Sequence, residues 1–65
     1  MKIDSIKIKL ILAEQNLTQT SLAEKCGISR QNVSAMLARG TCSISNVGRL
    51  ARALGVSSRE IIKEE

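Results

Sequence analysis

Ser29, Arg30, Gln31, Asn32 and Ser34 fall almost side by side, and no acid interrupts them. They supply hydroxyls, amides and a guanidinium, groups that give and take hydrogen bonds but make no catalytic set. Histidine is absent, Asp4 is the single aspartate, and no pair of carboxylates stands near a nucleophile. General acid–base and nucleophilic catalysis therefore have no candidates, and the chain does not read as an enzyme. Cys26 and Cys42 stand apart, at no metal-ligand spacing, so neither metal nor cofactor is expected. What remains is recognition. A helical face rich in hydrogen-bonding groups and free of negative charge suits a polyanion.

The charge distribution points the same way. The net charge is +4, but all five arginines (Arg30, Arg39, Arg49, Arg52 and Arg59) lie in the segment 27–59, which holds no Asp or Glu. Solubility alone does not require acids to be excluded from half a domain. A field of one sign attracts anions, at a cost to compaction.

A chain of 65 residues makes one domain, here taken as residues 1–65. Phe, Tyr and Trp are absent, so the core must be aliphatic. That also removes the stacking platforms that single-strand and RNA binders use. Two cysteines without scaffold density, and no signal peptide, point to a reducing, cytoplasmic setting. No apolar run reaches membrane-spanning length.

The elements that must position these residues are announced by a repeated pattern. An apolar residue precedes a cap residue, and another apolar residue follows, the arrangement of a hydrophobic staple around an N-cap. Ile3-Asp4-Ile8, Leu17-Thr18-Leu22, Ile28-Ser29-Val33, Cys42-Ser43-Val47 and Val56-Ser57-Ile61 open five helices. Glu60 is expected to close a capping box with Ser57. Asn16, Gly27, Gly40 and Gly55 stand where a left-handed C-terminal residue is wanted. In the first segment, Ile6 to Leu10 alternates like a strand, yet Ile8, Ile11, Leu12 and Gln15 fit a helix, and no partner strand is available. A helix there leaves Leu10 and Leu12 partly exposed. Leu22, Ala23 and Cys26 share one face of the second helix, and Ile28, Val33, Met36 and Leu37 form the stripe of the third. In the fourth, Ile44, Val47, Leu50, Ala51 and Leu54 face inward, and Gly48 marks either a close backbone approach or a tolerated defect. Cys26 reads as core and Cys42 as an exposed loop residue. Ile61 and Ile62 cannot both turn inward, which makes one a candidate for a dimer seam. Glu64 and Glu65 put negative charge near the last carbonyls of the fifth helix, a weakening arrangement.

Two short helices joined by a glycine turn make a helix-turn-helix unit, here residues 18–38. The residues Leu17-Thr18-Gln19, Leu22-Ala23, Gly27-Ile28-Ser29, Val33-Ser34, Met36 and Leu50-Ala51-Arg52-Ala53-Leu54-Gly55-Val56 resemble the lambda-repressor-like family of the phage repressor and Cro type. The resemblance runs from about Ile8 to Ile62. It implies a compact all-α domain of five helices whose third helix enters the DNA major groove. By position, it assigns Ser29, Arg30, Gln31, Ser34 and Ala35 to base edges. It assigns Thr18, Gln19 and Asn32 to phosphates, with Arg39, Thr41 and Ser43 as further phosphate candidates. These placements are chemically consistent. Arginine pairs bidentately with guanine and glutamine with adenine, while free N–H groups at a helix start suit phosphate. The chain departs from the family at Leu37-Ala38-Arg39-Gly40, one residue longer, and at Cys42, where the family has proline. The loop path carrying Arg39, Thr41 and Ser43 therefore does not follow from the resemblance.

The leading expectation is a transcriptional regulator that binds double-stranded DNA as a homodimer on an inverted repeat, with no membrane or small-molecule partner. A protein-interaction module of the antitoxin kind is the second, served by exposed Leu10, Leu12 and Ile62.

Overall fold

Five cap residues turn the chain into helices where the staple pattern puts them. The computed structural model describes residues 1–63; Glu64 and Glu65, and the expectation attached to them, lie outside the described residues. The helices are α1 (Ser5–Glu14), α2 (Gln19–Cys26), α3 (Arg30–Arg39), α4 (Ile44–Leu54) and α5 (Ser58–Ile61). Asp4, Thr18, Ser29 and Ser43 each accept a hydrogen bond from the backbone N–H three residues on. Each satisfies one of the free donors at a helix start. The helices stop where the left-handed residues stand: Asn16 has φ 56°, and Gly27 closes α2 at φ 71°. Gly27 also lets Ile28 N–H return to Ala23 C=O (3.1 Å), which ties the turn to the helix it leaves.

The core is aliphatic and continuous, with Ile8, Leu22, Leu50, Leu54, Ile61 and Val33 fully enclosed. α2 packs against both α3 and α4, and α5 against α4 and α1. No described side chain buries an unpaired nitrogen or oxygen.

Several expectations are corrected. Leu12 is buried, because it lies only about 40° around the helix from Ile8 at 100° per residue, while Leu10 on the opposite side is 58% exposed. Gln15 on the inner side donates to Leu54 C=O (2.6 Å). Ile44 is 73% exposed. It opens α4 about 70° off the centre of the inward face, and Cys42 fills the core at that end instead. Cys42 is thus buried, not an exposed loop residue. Ser57 caps α5 through Arg59 N–H (3.3 Å), not as a box with Glu60, whose N–H goes to Ser57 C=O (3.0 Å). A helix of a single turn closes more tightly than the box requires. No atom lies within 4 Å of a Cβ built on Gly48, so the glycine is tolerated and no backbone approaches it.

One feature gave no signal in the sequence. The segment 1–3 runs extended between the α3–α4 connection and the end of α5. Lys2 pairs with Thr41 and Ile3 with Ile62, both antiparallel. Ile3 N–H donates to Gly40 C=O (3.0 Å), Asp4 N–H to Ile61 C=O (2.7 Å) and Lys63 N–H to Lys2 C=O (3.0 Å). The Ile3 side chain is buried in the core, and Ile62 packs half-buried against it.

Candidate nucleic-acid interface

α3 presents two faces. Val33, Met36 and Leu37 are buried, and Arg30, Gln31 and Asn32 are exposed, with Ser34 and Ala35 half-buried beside them. Arg30, Gln31, Ser34 and Ala35 recur at helical spacing, so they form one strip along the outer surface. Ser29, just ahead of them, is exposed and its hydroxyl oxygen accepts from Asn32 N–H (3.1 Å). No acid occupies the first turn of α1, α2, α3 or α4. The caps of α2, α3 and α4 are neutral, so the partial positive charge of those three starts is left for an outside anion, while that of α1 meets the Asp4 carboxylate.

The start of α2 is fastened to this strip. Ser34 Oγ donates to Gln19 Oε1 (2.9 Å). Thr18 Oγ1 accepts from Ser21 N–H and lies 3.1 Å from Ser21 Oγ. The Ser34–Gln19 bond therefore joins the two helices of the motif, while Thr18 and Ser29 each cap their own helix.

The second group lies elsewhere. Arg39 closes α3 nine residues beyond Arg30, which is about 14 Å along the axis at 1.5 Å per residue. It lines a shallow groove of about 660 Å³ with Lys2, Gly40, Thr41 and Lys63. Ser43 Oγ accepts from Asn46 N–H (3.2 Å) and remains exposed. Thr41 differs: its hydroxyl donates to Met1 C=O (2.9 Å), so the side chain has no proton left for a phosphate. The α3–α4 connection is instead held by the chain's first residues, since Met1 C=O also accepts from Cys42 N–H (3.0 Å) and the Met1 ammonium donates to Cys42 C=O (3.0 Å). A three-residue extended segment carries too little pattern to have been found beforehand.

Three further cations, Lys25, Arg49 and Arg52, surround a second depression of about 340 Å³ over Cys26. Burial pushes the Cys26 thiol above its ordinary value, against the pull of the Arg49 charge. It does the same to Cys42, against the N-terminal ammonium and Arg39. Both thiols are thus held protonated, as core groups rather than nucleophiles. No group of three or more metal-binding side chains occurs among the described residues. No helix there is long and apolar enough to cross a membrane.

A helix-turn-helix family model, of the lambda-repressor-like type, matches residues 8–61, from within α1 to the end of α5. The chain belongs to that family. Among solved structures, a hypothetical transcription factor from Neisseria is similar at 26% identity and a TM-score of 0.76, over 92% of this chain and 78% of that one. No curated protein sequence matches the chain. The family accounts for the five-helix all-α architecture and for the exposed strip of α3, which is the outward helix of the motif.

Proposed function

We propose that this chain is a sequence-specific transcriptional regulator that binds double-stranded DNA. It reads the major groove with α3 and works as a homodimer on an inverted repeat, where occupancy represses. The observation that carries this reading is the outer strip of α3, exposed and free of acid, in a helix-turn-helix that matches its family over residues 8–61. The similarity to a hypothetical transcription factor from Neisseria supports the regulatory role.

Arg30 and Gln31 are the leading base readers, through guanine O6/N7 and adenine N6/N7. Ser29, Ser34 and Ala35 border them. Thr18 and Gln19 hold one phosphate at the start of α2, Asn32 a second, and Arg39 and Ser43 sit on the backbone farther along. Thr41 is released from this set by its bond to Met1.

Selection of bound duplexes from random sequence tests the reading. A palindrome with half-sites about one helical turn apart is expected, with affinity falling steeply as salt rises. A complex indifferent to salt would favour the protein-interaction reading, for which the exposed Ile6 and Leu10 on α1 are the specific observation.

A further inference from the structure

The hydrogen bond between Ser34 and Gln19 decides more than the packing of two helices. A glutamine amide is two-ended: one end only accepts and the other only donates. Ser34 Oγ gives its proton to Gln19 Oε1 at 2.9 Å, so the accepting end is taken. Gln19 Nε2 makes no hydrogen bond to a described residue, and the side chain is half-buried at the first position of α2. The amide is held with its two N–H groups as the free end. A phosphate oxygen only accepts, so this is the polarity it needs. The backbone reinforces it: Thr18 Oγ1 takes the Ser21 N–H, and the N–H groups of Gln19 and Thr20 have no partner within the helix.

Ser34 is changed by the same bond. With its proton committed to Gln19, its oxygen can only accept, and it cannot donate to guanine or to thymine. Its side chain is oriented across the motif rather than outward with Arg30 and Gln31. We propose that Ser34 is a positioning residue, not a base reader. Its hydroxyl ties the Gln19 side chain across the motif and so orients the phosphate donor that registers the motif on the duplex. This rests on the DNA-binding reading given above and narrows one of its base-reading assignments.

Two measurements test it. In the free protein, the side-chain amide resonances of Gln19 are followed by nitrogen-15 NMR in the wild type, Ser34→Ala and Ser34→Thr. Ser34→Ala should shift both amide protons and bring them toward the positions of a solvated glutamine. Ser34→Thr should leave them near the wild type. Unchanged resonances in Ser34→Ala overturn the proposal whether or not the chain binds DNA. Duplex affinity is then compared for Ser34→Ala, Gln19→Ala and the pair. Each single change should weaken binding about tenfold, the order expected for a hydrogen bond to a charged group, on selected and random duplexes alike. The double variant should be no weaker than Gln19→Ala alone and should melt with it, because either single change already removes the bond. Additive losses overturn the proposal. So does a Ser34→Ala effect confined to one base pair of the selected site, which would return Ser34 to base reading. A wild-type chain with no affinity for any duplex overturns the DNA-binding reading, and the resonances still decide whether Ser34 orients Gln19.

Discussion

Arg30 leads the outer strip of α3, and no described residue pairs with its guanidinium. An unpaired arginine at a helix start reaches outward without first breaking a bond inside the protein. If it reads guanine, Arg30→Ala should lower affinity for the selected site by about 1–3 kcal/mol and relax preference at one base pair, while random-duplex affinity changes little. Fluorescence anisotropy with both duplexes checks this; an equal loss on both would make Arg30 a phosphate contact. Gly48 makes a residue-scale case of the opposite kind. It sits inside α4 with open space where a Cβ would go. Gly48→Ala should therefore stabilise the domain by about 1 kcal/mol, the difference in helix propensity, or roughly 4–8 °C in melting temperature for a domain of this size. A melting temperature that falls would mean that Gly48 has a structural duty the open space conceals.

Among the elements, the helices were legible because their signals are local. A cap residue flanked by two apolar ones specifies a start with no knowledge of the rest of the fold, and Asp4, Thr18, Ser29, Ser43 and Ser57 all act as N-caps. The candidate strip was legible for the same reason, since Arg30, Gln31, Ser34 and Ala35 follow one helical period. The bond from Ser34 to Gln19 was not, because it joins two helices and depends on how they cross. Ile44 and Cys42 exchanged expected roles because face assignments weaken at a helix end, where a neighbouring loop residue can fill the core. The segment 1–3 was hidden because its partners, Thr41 and Ile62, are remote in sequence and each pairing is a single bridge. It is nonetheless structural. Ile3 is 2% exposed and belongs to the core. Ile3→Val should cost about 0.5–1.5 kcal/mol and Ile3→Ala about 2–5 kcal/mol. The larger cost is comparable to the whole stability of so small a core, so Ile3→Ala should be largely unfolded by circular dichroism at 37 °C. Were residue 3 part of a loose tail, both variants would melt with the wild type. Because this segment also grips the α3–α4 connection, Ile3→Val tests whether the grip matters to binding. Its effect on duplex affinity should exceed its effect on stability only if the connection touches the DNA backbone.

For the whole molecule, the question is how two copies come to occupy one inverted repeat. A stable protein interface removes about 800 Å² per partner from water. Against that requirement, the largest apolar side chains left exposed are Met1, Ile6, Leu10 and Ile44. Only Ile6 and Leu10 share one face of one helix, a single turn apart on α1. Two side chains supply a fraction of the required area, and the surrounding Lys7 and Lys9 are exposed like charges that a second copy would have to accommodate. The free chain should therefore be monomeric at micromolar concentration, with pairing driven by two adjacent half-sites that raise the local concentration of one copy beside the other. Sedimentation velocity should give the mass of one chain alone, one chain on a half-site duplex and two on the full palindrome. Ile6→Ser with Leu10→Ser should then reduce cooperativity on the palindrome and leave half-site affinity unchanged, because neither residue belongs to the outer strip of α3. A dimer that persists without DNA below micromolar concentration would refute this account, since no described apolar surface is large enough to hold it.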